Sequence, residues 1–252
     1  MPLVGFGTWR VTGAIGYDAL RTALGTGYRH IDTATLYGNE DLVGRAVRDS
    51  GLAREQVFLT TKLLPRDAGR ERRSLAESLA ALGVDYLDLW LIHWPPDPDP
   101  GTDIWRAFLA ARDEGLVRSV GVSNYDIRQL DELAAATGEM PAVNQVRWGP
   151  VLYDKGLLAA HRARGVVLEG YSPLKSTDFA APVLTSVARA HGVSESQVVL
   201  RWHLEHGIPV IPKSVTPERI VRNFDLFDFA LTADEVHEID SLGATGRARR
   251  GP

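Results

Sequence analysis

The sequence predicts a (β/α)8 barrel, an α/β fold in which eight parallel strands alternate with helices. Three observations predict it. Short apolar, β-branched runs alternate with longer segments of helical spacing from one end of the chain to the other. Strand–helix alternation implies right-handed crossovers and a parallel sheet. Eight such units in 252 residues match the usual size of the barrel. A doubly wound sheet is the competing architecture. No G-x-G-x-x-G follows a strand, because Gly5-Phe6-Gly7 runs on into Thr8-Trp9-Arg10, and no phosphate loop of the G-x-x-x-x-G-K-S/T type occurs.

The strands are expected at Leu3–Gly7, Tyr28–Asp32, Val57–Lys62, Tyr86–His93, Val117–Val122, Ala142–Gln145, Val166–Tyr171 and Ile208–Ile211. Each is a run of about the length of a buried strand. Helical spacing marks Tyr17–Thr26, Glu40–Ser50, Arg70–Leu82, Ile104–Glu114, Ile127–Ala136, Lys155–Arg164 and Pro182–His191. A further helix, Ser194–His206, opens with Ser194 three residues ahead of Gln197, the spacing of a capping box. In Trp94–Thr102, Pro95, Pro96, Pro98 and Pro100 forbid helix and strand. This loop follows the fourth strand and so belongs on the C-terminal rim, where active sites of the fold lie. Gly246–Pro252, with Arg247, Arg249 and Arg250, reads as a fraying end. No break in composition divides the chain, so residues 1–252 read as a single barrel domain.

Composition narrows the function classes. The net charge is −4 and the hydrophobic fraction 44%, which speaks against disorder and against a nucleic acid or anionic membrane as partner. The chain has no cysteine, which removes disulfides, thiolate nucleophiles and cysteine-held metals. His203 and His206 lack H-E-x-x-H spacing, and no metal site is expected. The first residues, from Met1 to Gly7, have no basic segment followed by an apolar one, and no apolar run approaches the roughly 18 residues of a membrane span. A cytoplasmic monomer is expected.

Three successive strands lead to residues that are costly to bury: Asp32 in Arg29-His30-Ile31-Asp32, Lys62 in Thr60-Thr61-Lys62, and His93 in Leu91-Ile92-His93. A barrel gathers these ends at one mouth, and Tyr37 in the second loop can reach it. Such a set suits carbonyl chemistry. A carbonyl that accepts hydride becomes an alkoxide and needs a proton, and free tyrosine, with a pKa of about 10, is a poor acid at neutral pH. A Lys62 cation favours tyrosinate, Asp32 keeps that cation in place, and His93 can hydrogen-bond the carbonyl oxygen. Each residue alone also fits a structural ion pair, a satisfied histidine or a rim aromatic.

The chain resembles the aldo-keto reductase superfamily over nearly its whole length, most of all the bacterial branch that includes 2,5-diketogluconate reductases. The motifs are Gly5-Phe6-Gly7-Thr8-Trp9, Tyr28-Arg29-His30-Ile31-Asp32-Thr33-Ala34 with Tyr37-Gly38-Asn39-Glu40, Thr60-Thr61-Lys62, and Ile92-His93-Trp94-Pro95. The resemblance implies that Tyr37 is the general acid, assisted by Asp32, Lys62 and His93. It implies NADPH as cofactor, with NADH weaker, and small carbonyl compounds as substrates. Val120-Gly121-Val122-Ser123-Asn124 and Val143-Asn144-Gln145 resemble the segments whose Ser, Asn and Gln hold the nicotinamide carboxamide. Tyr171 matches the tyrosine that stacks on the nicotinamide, with Ser172, Pro173 and Leu174 near the pyrophosphate. Lys213, Ser214, Val215, Thr216, Arg219 and Asn223 resemble the adenosine end of the site, where a 2′-phosphate suits Lys213 and Arg219. Thr8, Trp9 and Asp32 complete the implied cofactor contacts, while Trp9, Tyr37, His93 and Trp94 form the implied substrate pocket.

Three departures from the family pattern are visible. A hairpin before the first strand and a long C-terminal loop are expected to be missing or very short. Trp148-Gly149-Pro150 stands where Trp-His-Pro is common, which reads as a bulky side chain removed from the site. An open pocket of this kind implies a broad range of aldehydes and ketones. Two other functions remain: an aldolase with Lys62 as Schiff-base nucleophile, and a non-catalytic NADPH-sensing subunit on the same fold.

Overall fold

Eight strands lie side by side in chain order, each parallel to the next: β1 (Phe6–Gly7), β2 (His30–Asp32), β3 (Phe58–Leu63), β4 (Leu87–Ile92), β5 (Val117–Ser123), β6 (Val143–Arg147), β7 (Val167–Tyr171) and β8 (Val210–Ile211). This computed structural model describes residues 1–97 and 99–244, so Pro98 and the Gly246–Pro252 tail lie outside the described residues. The sheet closes on itself. Val210 N donates to Leu3 O at 2.8 Å, Gly5 N to Val210 O at 2.9 Å, and Gly7 N to Pro212 O at 3.1 Å. The expected (β/α)8 barrel is therefore the observed fold. Its first and last strands are shorter than the sequence suggests. Pro209 has no N–H for the ladder, and Val4 enters only an isolated bridge with Val210.

The outer layer consists of α1 (Gly13–Thr26), α2 (Glu40–Asp49), α3 (Glu71–Leu82), α4 (Thr102–Asp113), α5 (Ile127–Thr137), α6 (Lys155–Ala163), α7 (Pro182–His191), α8 (Glu195–Glu205), α9 (Pro217–Phe224) and α10 (Ala233–Asp240). Ser194 caps α8 as expected, its Oγ accepting from Gln197 N while Gln197 Oε1 accepts from Ser194 N. Trp90, Trp105, Trp148 and Trp202 are all buried between strands and helices. Trp90 stacks on Phe108 with centroids 3.6 Å apart, which fixes α4 against β4. Among the described residues, no helix is long and apolar enough to cross a membrane.

Register determines what faces the barrel interior. Asp32 pairs with Thr60 across β2–β3, and Gln145 with Glu169 across β6–β7. Side chains two apart on a strand share a face, so His30 and Asp32 of β2, and Thr60 and Lys62 of β3, point the same way. All six are buried. The barrel interior thus carries a polar column where apolar packing is the rule.

Candidate active site

At the C-terminal mouth this column ends in Lys62 and Asp32. Lys62 is fully buried in the penultimate position of β3, and its Nζ donates to Asp32 Oδ1 at 2.6 Å and to Thr33 O at 2.9 Å. Burial works against the ammonium, but the charges of Asp32 and Tyr37 outweigh it and raise the Lys62 pKa. Gln145 Nε2 donates to Asp32 Oδ2 at 2.8 Å and to Glu169 Oε2 at 2.9 Å. Glu169 is fully buried; burial first, then the Asp32 charge, push its pKa above the carboxylate range.

Tyr37 ends a 3-10 turn (Thr35–Tyr37) that Thr35 Oγ1 ties to Lys62 O at 3.0 Å. Asn39 anchors the same loop by donating to Thr8 O and Val11 O, each at 2.9 Å. The Lys62 ammonium stands 5.3 Å from the centre of the Tyr37 ring. Burial raises the Tyr37 pKa and outweighs the lowering effect of Lys62, so the phenol keeps its proton at neutral pH. This corrects the expectation that Lys62 sets the direction of the shift. His93 lies one residue beyond β4, its ring 5.9 Å from that of Tyr37. Burial, followed by the Lys62 charge, lowers its pKa to about 3. Among the described residues its Nδ1 has no hydrogen-bond partner. Trp94 stacks on His93 at 4.1 Å and Trp9 meets Tyr37 edge-on at 4.9 Å, so an exposed tryptophan covers each of the two rings.

These residues open into a cavity of about 310 Å³. Tyr37, His93, Trp9, Trp94, Thr8, Asp32, Ser123, Asn124, Gln145, Tyr171, Ser172, Pro173, Leu174 and Lys213 all line it, while Lys62 lies beneath its floor. Ser123 Oγ donates to Gln145 O at 2.7 Å, and Tyr171 Oη to Asn124 Oδ1 at 2.9 Å. Among the described residues, the only non-glycine residues with positive φ are Arg10, Asn124 and Ser172, each in a loop at this rim. Local strain of this kind gathers at functional sites. Ser214, Val215, Thr216, Arg219 and Asn223 do not line the cavity; they run from its edge through α9, which Thr216 precedes as N-cap and in whose last turn Asn223 lies.

Leu36 and Lys175 also line the cavity, as do Ile211 and Pro212, which precede Lys213 in the segment that resembles the adenosine end of the site. Lys175 and Arg10 lie close enough to Lys213 to add to the lowering of its pKa that burial begins. None of these three cations has an ion pair among the described residues. Glu169 was passed over as an ordinary strand residue, although a carboxylate in mid-strand was a signal. Gly149 needs a correction. It does not line the cavity, and a Cβ added there would stand 2.6 Å from Ser176 O and 2.8 Å from Pro173 O. The glycine permits a close approach of two loops and does not mark space vacated in the substrate pocket.

Comparison with known proteins agrees with this geometry. The family model described as "Aldo/keto reductase family" matches residues 3–244. An aldo-keto reductase of Mycolicibacterium smegmatis is 46% identical over 256 residues, covering 100% of this chain and 92% of the relative. A methylglyoxal reductase of Salmonella typhimurium is 43% identical over 246 residues, covering 96% of this chain and 90% of the relative. The crystal structure of a Bombyx mori aldo-keto reductase in complex with NADP superposes with a TM-score of 0.88 at 34% identity, covering 96% of this chain and 89% of that one.

Proposed function

The chain belongs to the aldo/keto reductase family, and from that premise we propose that it reduces aldehydes and small ketones to alcohols with NADPH, Tyr37 delivering the proton. It is an oxidoreductase of the NADP-dependent kind, as its named relatives and the NADP-bound neighbour support. One observation carries the finer reading: the Tyr37 ring faces the cavity 5.3 Å from the buried Lys62 ammonium, whereas burial lowers the His93 pKa to about 3 and leaves that ring neutral. A neutral imidazole can donate one hydrogen bond and orient a carbonyl, but it has no second proton to give.

The cavity fits the cofactor. Lys213, Lys175 and Arg10 form a group of cations without acidic partners among the described residues, suited to phosphate anions. Ser123, Asn124 and Gln145 supply amide-binding groups on one side, and Tyr171 supplies a flat, half-buried wall. Arg219, exposed in the first turn of α9, is suited to a 2′-phosphate and would favour NADPH over NADH. When bound, the nicotinamide supplies hydride to the carbonyl carbon.

The chain's own residues do the rest. His93 orients the carbonyl oxygen, Tyr37 Oη transfers its proton to that oxygen, and the Lys62 ammonium stabilises the phenolate left behind. Asp32 holds Lys62 in place. The Schiff-base alternative loses support, because the Lys62 ammonium is buried, doubly bonded and raised in pKa, the reverse of an activated amine nucleophile. Trp9, Trp94 and Leu36 offer apolar walls with few polar fixtures, which favours a broad range of carbonyl substrates. The test is NADPH consumption, followed by absorbance, against aldehydes, α-dicarbonyls and keto sugars. Turnover of several classes is expected; cofactor binding without turnover of any would instead indicate a nucleotide sensor.

A further inference from the structure

Below the Tyr37 centre the barrel holds two groups that the proposed reaction leaves without a role. Glu169 in β7 and His30 in β2 are both fully buried, with His30 Nε2 3.6 Å from Glu169 Oε1. Oε1 has no hydrogen-bond partner among the described residues, whereas Oε2 accepts from Gln145. The charged or titratable groups facing Glu169 are His30 and Asp32 from β2 and Lys62 from β3. On the flanking strands, β6 presents the neutral Gln145, and β8 consists of Val210 and Ile211. Lys62 is already paired with Asp32 at 2.6 Å. An ionised Glu169 would be a second buried anion with no cation of its own and one bare oxygen, which is strongly disfavoured. A proton on Oε1 removes that charge; His30 Nε2, which already meets Thr60 Oγ1 at 3.2 Å, stays 3.6 Å away, beyond hydrogen-bond distance.

We propose that Glu169 is a positioning residue for carbonyl reduction: it stays protonated on Oε1, the oxygen that faces His30, and locks the Gln145 amide with both N–H groups turned to Asp32 and Glu169. Asp32 is thereby fixed against Lys62. The Gln145 oxygen is left as the acceptor that this amide offers at the cavity, where a carboxamide N–H of the nicotinamide could use it. The burial that raises the Glu169 pKa acts in the same sense. The inference rests on the reading of Tyr37, Lys62 and Asp32 given above, but none of its three tests involves turnover.

The first is infrared difference spectroscopy of the cofactor-free protein at neutral pH, wild type minus Glu169→Gln. The carbonyl stretch of a protonated carboxylic acid should appear in the wild type and be lost in the variant; carboxylate bands in its place would overturn the protonated carboxyl. The second is thermal melting against pH. A folded state that retains a proton given up by the unfolded chain loses stability as pH rises above the ordinary glutamate value of 4.5. Glu169→Gln removes that slope, so its melting temperature should gain on the wild type steadily from about pH 5 upward, and a constant difference would contradict the proposal. The third is NADPH affinity by fluorescence. Glu169→Leu deletes the acceptor for Gln145 and should raise the dissociation constant about tenfold, while Glu169→Gln stays within about twofold of wild type. Equal affinities for Leu and Gln variants would show that Glu169 does not position the amide. If Tyr37 proved not to be the acid while the infrared and melting results held, the proposed reaction would fall and the buried proton on Glu169 would stand.

Discussion

Replacing Lys62 by methionine removes a charge from the barrel floor while nearly conserving volume. In the native protein Nζ is fully buried, 2.6 Å from Asp32 Oδ1, 2.9 Å from Thr33 O and 5.3 Å from the Tyr37 ring centre. Removing one partner of such a buried pair costs about 3–5 kcal/mol, because the other charge is left uncompensated. For a domain of this size the melting temperature should fall by about 6–20 °C. Turnover should fall by about 10²–10⁴-fold, the range of a lost general acid, since the phenolate formed at Tyr37 loses its cation. Affinity for NADPH, measured by fluorescence, should change little. The double variant Asp32→Asn/Lys62→Met removes both charges and should regain part of the stability, because neutral replacement of a buried pair is often nearly neutral in energy. It should regain no turnover. The reasoning is refuted if Lys62→Met keeps more than about a tenth of wild-type turnover, or if the double variant regains it.

Arg219→Ala should weaken NADPH by about 1.5–3 kcal/mol, the range for hydrogen bonds to charged groups, and NADH much less; equal losses would mean that Arg219 does not read the 2′-phosphate. Gly149→Ala places a Cβ 2.6 Å from Ser176 O. It should displace the Pro173–Ser176 segment and raise KM for NADPH more than KM for aldehyde, whereas the opposite order would return Gly149 to the substrate wall. Burial lowers the pKa of His30 and His203 to about 4 and that of His93 to about 3, all below the ordinary value of 6.5. The unfolded chain therefore binds protons that the folded protein refuses, and stability is lost as pH falls from 6.5 towards 3. The urea midpoint should drop steadily over that window; a constant midpoint would contradict these burials.

Much of the barrel was legible because buried parallel strands read as continuous apolar runs and their intervening helices as amphipathic ones. The segments α9 (PERIVRNF) and α10 (ADEVHEID) were not, because eight largely polar residues hold too few turns to establish a period. Their end signals were present: Pro217 at the start of one, and a Thr232–Glu235 capping box at the start of the other. In the site, Asp32, Lys62 and His93 stood out as polar residues at the ends of apolar strands. Glu169 carries the same signal two residues before its strand ends, but its meaning depends on Gln145 and His30, which only the closed barrel brings to it. Gly149 shows the opposite failure. A missing side chain in one dimension suggested free space, and in three dimensions it permits backbone contact. The Tyr37 pKa direction was misjudged because sequence shows the nearby cation but not the depth of burial.

The central claim is that the proton comes from Tyr37 and that His93 only orients the carbonyl. Tyr37→Phe removes one oxygen and leaves the ring against Trp9 and His93. The most direct measurement is steady-state aldehyde reduction by Tyr37→Phe and His93→Gln, with NADPH affinity determined for both. Tyr37→Phe should bind NADPH as wild type does yet lose turnover by about 10²–10⁴-fold, while His93→Gln should raise KM for aldehyde and keep measurable proton transfer. Near-normal reduction by Tyr37→Phe together with complete loss in His93→Gln would make the histidine the acid and contradict the account.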